Sequence, residues 1–168
     1  GGSTKYSSLS AINRENVGEL EIAWRWQARN FGPDPEFNSR VTPIMVDGVL
    51  YATAGYRRAA VAIDATTGET LWMYRLDEGR RGENAPRLNS GRGVSYWKDG
   101  ADERIFLITP GYHLVALDAK TGKPVTTFGQ SGIIDLKKEL DRPVDPIEGA
   151  IGSSSPPVVS NGVVVVGA

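Results

Sequence analysis

The sequence predicts an all-β chain built from repeated units, blades or solenoid turns rather than one closed sandwich. Short β-branched and aromatic runs bounded by Gly, Asp and Asn fill most of it. The dipeptides Asp47-Gly48 and Asn161-Gly162 each sit between apolar runs, as in two-residue hairpins. The pattern Asp-Ala-x-Thr-Gly recurs 54 residues apart, from Asp64 to Asp118, and repeats on that scale mark blades or solenoids.

Residues 6–20 (YSSLSAINRENVGEL) are expected to hold the single short helix, with Asn13 capping a turn in which Glu15 and Asn16 precede Val17 and Leu20. TPIMVDGVLYATA (42–54) is a hairpin with a type I′ turn. AVAIDATTGETLWMY (60–74) is a strand ending in Asp64, a turn in which Asp64 and Thr67 can bond the turn amides while Gly68 goes left-handed, and a strand carrying Trp72. VSYWKDGADERIFLIT (94–109) is a further hairpin with a longer polar loop, and LVALDAKTGKPVTTF (114–128) repeats the Asp-turn unit with Thr126 at the Trp position. PPVVSNGVVVVGA (156–168) repeats the first hairpin, for about nine strands in all. A ring such as Trp72 can lie over a neighbouring unit's turn and lock units edge to edge. Trp24, closing LEIAW, fits the same role, and ordinary core packing of both rings is the alternative.

An apolar content of 40% with net charge −1 describes a core-forming chain with no electrostatic claim on nucleic acid. No apolar run approaches the ~20 residues that span a bilayer. The absence of cysteine removes disulfides and thiolate metal sites and leaves the compartment open. His113, the one histidine, cannot assemble a metal site alone and is expected to be a satisfied or exposed strand residue. DEGRRGEN (77–84) and DLKKELDRPVDPIEG (135–149) mix both signs, read as solvated loops, and lack calcium-loop spacing. The chain starts without Met and stops inside VVVVGA, so it is expected to be a piece of something longer.

The candidate site begins at NSGRGVSYW (89–97), where Arg92 stands between Gly91 and Gly93 at the mouth of a strand. A turn needs the glycines and has no need of the arginine. A surface arginine paired with a carboxylate such as Glu83 is the plainer explanation.

The A-x-D-x-x-T-G-x-x-x-W unit from Ala62 to Trp72, the opening GGSTKYSSLSAINRENVGELEIAW, and RGVSYW together resemble the quinoprotein dehydrogenases that use pyrroloquinoline quinone (PQQ). GKPVTTFGQSGIIDLKK (122–138) is similar to the glucose and polyol dehydrogenase branch, where a Phe-Gly-x-x-Gly-x-x-x-Leu stretch replaces the tryptophan; this accounts for Thr126. The resemblance implies an eight-bladed propeller. Residues 1–168 would form the N-terminal part of its single domain, a partial β-propeller of about two blades plus parts of a third.

It also implies a sugar, polyol or alcohol oxidoreductase using PQQ and calcium. Arg92 matches the family's cofactor arginine, Gly91 and Gly93 would let the backbone approach the flat cofactor, and Ser154, or Ser155 in the neighbouring register, would hydrogen-bond a cofactor carboxylate. The calcium ligands and the proton-abstracting aspartate lie downstream in the family, so no catalytic or metal residue is assigned and residues 1–168 alone are expected to be inactive. Asn89-Ser90-Gly91 stands where the alcohol-oxidising branches have a cysteine pair, and Arg40 where they have a cofactor-contacting glutamate; Arg40 could face the cofactor or solvent. Electrons would pass to a membrane quinone or cytochrome c, and the location would be periplasmic. The alternative is a cofactor-free scaffold similar to the outer-membrane β-barrel assembly lipoprotein.

Overall fold

The computed structural model describes residues 8–28, 31, 36, 38–138 and 140–167. Strands β1 (Ile44–Val46), β2 (Val49–Ala54), β3 (Ala59–Asp64) and β4 (Thr70–Tyr74) form one antiparallel meander in sequence order. Strands β5 (Ser95–Asp99), β6 (Asp102–Ile108), β7 (His113–Asp118) and β8 (Ile133–Asp135) form a second, and β9 (Val158–Ser160) pairs with β10 (Val163–Val165). These are two four-stranded blades and the opening hairpin of a third, the division that the resemblance implies.

Asp47 and Gly48 (φ +48° and +81°) and Asn161 and Gly162 (φ +50° and +75°) are all left-handed, the signature of type I′ turns. The β5–β6 hairpin is tighter than its expected polar loop, since Asp99 pairs directly with Asp102. Its polar residues are used across the ladder: Glu103 accepts from Tyr96 Oη at 2.8 Å and from Lys98 Nζ at 3.1 Å, which extends the strands to the turn.

The Asp turns lock the blades. Asp64 Oδ1 accepts from the amides of Thr66 and Thr67 at 2.8 Å, and Asp118 Oδ1 from the amide of Thr121 at 2.8 Å. Trp24 Nε1 donates to Ala65 O at 3.1 Å and Trp72 Nε1 to Ala119 O at 2.9 Å, equivalent positions in successive turns. A Cβ on Gly68 would stand 2.6 Å from the Trp24 ring, and one on Gly122 2.6 Å from the Trp72 ring. Both rings are therefore docked on the following turn.

The second unit departs after this turn. Leu117 bridges Pro124, the chain loops through positive φ at Gly129, Ser131 and Gly132, and only then does β8 pair with β7. Phe128, near the Thr126 position, meets Phe106 edge-on at 5.5 Å and joins a cluster shared with Val159 and Val164 of the third hairpin.

Between the blades, Tyr51, Ala60 and Ala62 face Val94, Ile105, Leu107, Val115 and Leu117, nearly all fully buried. The two alanines let the sheets approach, and each fully buried Leu, Ile or Val contributes roughly 1.5–3 kcal/mol.

Two expectations need correction. Only a 3₁₀ turn forms at Val17–Glu19, although Asn13 Oδ1 does accept from the amides of Glu15 and Asn16. The turn buries no residue, Val17 and Leu20 stay exposed, and a cap without an apolar face to bury does not propagate a helix. Residues 6 and 7 of that expectation lie outside the described residues.

Residues 77–84, expected as a solvated loop, contain the short helix α1 (Gly79–Glu83) and are anchored. Glu78 accepts from Thr109 Oγ1 at 2.6 Å and from the amide of Gly111 at 2.9 Å, and lies 2.5 Å from His113 Nδ1. Burial raises this carboxyl, but the bonds from His113, Thr109 and Gly111 outweigh it and hold Glu78 below the usual carboxylate range. Arg81 bonds both oxygens of Asp135, at 2.9 and 2.6 Å. His113 is thus a satisfied strand residue. The loop 135–149 is likewise tied, with Lys137 buried and donating to Pro146 O and Gly149 O.

Candidate functional site

The first strands of the three units, β1, β5 and β9, begin beside one another, and hydrogen bonds join the segments just ahead of them. The amide of Thr42 donates to Arg92 O at 3.1 Å, and the amide of Arg92 donates to Ser154 O at 2.9 Å. One step further in, Ser95 Oγ donates to Pro157 O. The peptides flanking Arg92 therefore tie all three units together.

That approach explains the glycines. Gly91 has φ +71°, and a Cβ there would stand 2.7 Å from Arg58 Nε and 3.1 Å from Ser154 O; Gly93 has φ +125°, and its Cβ would stand 2.7 Å from Thr42 O. The space that a side chain would need is filled by the protein itself. Packing between the units is thus sufficient reason for both glycines, and Gly91 also borders the pocket beside this junction.

Beside this junction lies a solvent-accessible pocket of about 420 Å³. Arg40, Arg87 and Arg92 line it together with Asn38, Asn89 and Ser154, and no carboxylate is among its described lining. Arg40 stands four residues before β1, Arg92 three before β5, and Ser154 four before β9. None of the three arginine side chains has an ion pair or hydrogen bond among the described residues. Glu83, the carboxylate considered for Arg92, is bonded to Arg57 at 3.0 Å instead.

Of the residues singled out by sequence, Arg92 and Ser154 thus meet at one wall, and Arg40 joins them. Ser155 does not: it is exposed and outside the lining, and its amide donates to Ser153 Oγ at 3.2 Å. Asn89 has φ +68°, and its Oδ1 is buried without a partner among the described residues. An acceptor left so costs about 1–3 kcal/mol.

Sequence reasoning missed Arg58. This residue, 3% exposed and at φ +54°, occupies the turn between β2 and β3. Its guanidinium donates to four backbone carbonyls: Arg87 at 2.7 Å, Asn89 at 3.3 Å, Ile108 at 2.9 Å and Ser153 at 2.7 Å. Burial lowers its pKa to about 10 against the opposing pull of Glu78 and Glu36, so it remains protonated at neutral pH. It clamps both walls of the pocket from beneath. The available signal was the doubled arginine, Arg57-Arg58, placed directly against an apolar strand that cannot leave both in solvent. The loop has a second anchor in Glu36, whose Oε1 accepts from both the amide and the hydroxyl of the buried Ser90.

The family model described as PQQ: Glucose/ethanol/alcohol dehydrogenase, beta-propeller domain, matches residues 1–168. The dehydrogenase subunit of the alcohol dehydrogenase (quinone) of Gluconobacter oxydans (strain 621H) is 39% identical over 124 residues, covering 72% of this chain and 15% of that protein. The quinoprotein glucose dehydrogenase of Escherichia coli (strain K12) is 30% identical over 175 residues, covering 96% of this chain and 21% of that one. Among solved structures, a quinohemoprotein alcohol dehydrogenase from Pseudomonas putida HK5 superposes with a TM-score of 0.67 at 31% identity, over 95% of this chain and 20% of its own. The chain therefore spans only a small part of the length of each relative.

Proposed function

The chain belongs to the PQQ-dependent glucose, ethanol and alcohol dehydrogenase β-propeller family, and we propose that residues 1–168 form one wall of the PQQ site in a larger oxidoreductase acting on a sugar, polyol or alcohol. The observation that carries this is the pocket lined by Arg40, Arg87 and Arg92 with no described carboxylate. PQQ bears three carboxylates and an ortho-quinone, so the donor set suits it in charge and in hydrogen-bonding sense.

Arg92 offers a planar fork to a carboxylate or to the quinone oxygens, and the Ser154 hydroxyl donates beside it. Their relative position is fixed by the bond from the Arg92 amide to Ser154 O and by the Arg58 clamp below. Bound here, PQQ supplies a two-electron acceptor for the hydride of the substrate's carbinol carbon. Arg92, with Arg40 and Arg87 around the same space, would offset the negative charge of the bound cofactor.

Among the described residues no group of three His, Cys, Asp or Glu side chains could hold a metal ion. Calcium ligands and the group that takes the hydroxyl proton are proposed to come from other parts of the protein, and residues 1–168 alone are expected to give no turnover. A membrane quinone or cytochrome c as acceptor and a periplasmic location complete the proposal. A cofactor-free scaffold, the alternative, would leave the arginine wall with nothing to bind.

Titrating the complete apo-protein with PQQ, as parent and as Arg92→Lys, tests the site. Lysine keeps the charge and loses the fork, and one charge-assisted bond is worth roughly 1.5–3 kcal/mol, equivalent to about 10- to 150-fold weaker binding. Equal affinities with an unchanged apo melting temperature would remove Arg92 from the site.

A further inference from the structure

We propose that Arg40 and Arg87 form a second carboxylate-binding subsite in this pocket, separate from the contact made by Arg92 and Ser154. Four other arginines of the chain have carboxylate partners: Arg57 with Glu83, Arg80 with Glu148, Arg81 with Asp135 and Arg104 with Asp102. Arg40, Arg87 and Arg92 have none among the described residues; the same is true of Arg14, Arg25, Arg75 and Arg142, but only the first three share the lining of one cavity of about 420 Å³. Three arginines and no described carboxylate border this one space, a donor set that suits a ligand with two or more carboxylates better than one with a single negative charge.

The two residues are placed by separate devices. Arg87 lies on the connection from β4 to β5, with its carbonyl held at 2.7 Å by the buried Arg58. Its backbone is therefore fixed while its side chain remains exposed. Arg40 enters from the segment ahead of β1, two residues before Thr42, whose amide bonds Arg92 O. Asn38 adds an amide to the same lining. A backbone held before the ligand arrives lowers the ordering cost of binding, and an arginine pair gives a carboxylate fork-shaped donors.

The carboxylate has two possible sources, a second carboxylate of PQQ or an acid group on the substrate itself, as in a hydroxy acid. The first source rests on the PQQ proposal and the second does not. The experiment uses the complete protein as parent and as the double variant Arg40→Gln/Arg87→Gln, with three readouts: the Kd of the apo-protein for PQQ, KM for glycerol against glycerate, and the melting temperature of the apo-protein with and without citrate. If the source is the cofactor, the PQQ Kd rises at least tenfold in the double variant. If it is the substrate, the PQQ Kd is unchanged and KM rises at least tenfold for glycerate and not for glycerol. In either case citrate raises the melting temperature of the parent and not of the double variant, a result that survives even if the parent binds no PQQ and the cofactor proposal falls. The apo double variant should melt at or above the parent temperature, because like charges have been removed. A double variant that matches the parent in all three readouts overturns the subsite, and so does one that melts well below it without ligand, since the arginines would then be structural.

Discussion

The amide of Arg92 donates to the carbonyl of Ser154 at 2.9 Å, across 62 residues of sequence and between two blades. The residue proposed to hold the cofactor by its guanidinium is thus also a backbone tie, and its two functions are separable. Side-chain substitution at Arg92 leaves the tie intact, whereas changes beneath it do not.

Arg58 lies beneath it. Arg58→Met strips four carbonyls of their donor, two of them belonging to the pocket residues Arg87 and Asn89. Removing one partner of a buried charged network costs about 3–5 kcal/mol, so the complete protein should melt many degrees lower and bind PQQ poorly. Arg58→Lys, which keeps the charge and has fewer donors, should fall between. Thermal melts of the three proteins check the order, and an Arg58→Met protein as stable as the parent would contradict the clamp.

Glycine substitutions distinguish backbone conformation from crowding. Gly48 and Gly91 both have positive φ, but a Cβ on Gly48 meets nothing within 4 Å while one on Gly91 strikes Arg58 and Ser154. Gly48→Ala should cost about 1 kcal/mol from conformation alone, and Gly91→Ala about 1–3 kcal/mol more from overpacking. Denaturant unfolding of the pair should show that gap. Equal costs would mean that nothing is packed beneath residue 91.

The docking rings give a matched pair. Trp24→Phe and Trp72→Phe each remove one indole donor to a turn carbonyl, Ala65 O and Ala119 O respectively. Each should cost about 0.5–1.5 kcal/mol for the bond plus some lost packing, and the two values should be similar. If only one variant is destabilised in unfolding experiments, the two dockings are not equivalent.

Acid should release the bond between Arg81 and Asp135. The Arg81 guanidinium holds the Asp135 carboxyl down to about 2, against a smaller upward push from burial. A depressed carboxylate adds stability above its unfolded pKa, near 4, and that stability is lost as the pH falls through the folded value. Asp135→Asn should therefore be less stable than the parent by about 2 kcal/mol at neutral pH, with the difference shrinking between about pH 4 and pH 2. A difference independent of pH across that window would contradict the ion pair.

What the sequence reveals and what it conceals follow from the range of each interaction. The type I′ turns, the Asp turns and the docking tryptophans rest on spacings of a few residues, so Asp47-Gly48 and Ala62–Trp72 are legible at sight. The Arg58 clamp is not, because its partners lie 29 to 95 residues away and are backbone carbonyls, which carry no residue identity. The same holds for 77–84, whose mixed charges suit a solvated loop until Asp135 is brought to Arg81 from 54 residues away. The helix expected in 6–20 fails in the opposite sense, since Asn13 supplies a local cap and nothing distant supplies a face to bury. Arg92 and Ser154 were found through family resemblance, while the arginine wall that gives them a chemical setting emerges only when the three strand starts converge.

A structure of the complete protein with PQQ bound would show whether the cofactor lies against Arg92. The expected result is a PQQ carboxylate or quinone oxygen within about 2.7–3.2 Å of the Arg92 guanidinium, with the Ser154 hydroxyl bonded to the same ligand and Ser155 turned away from it. Cofactor bound with Arg92 in solvent and the Arg40–Arg87–Arg92 pocket holding only water would contradict it.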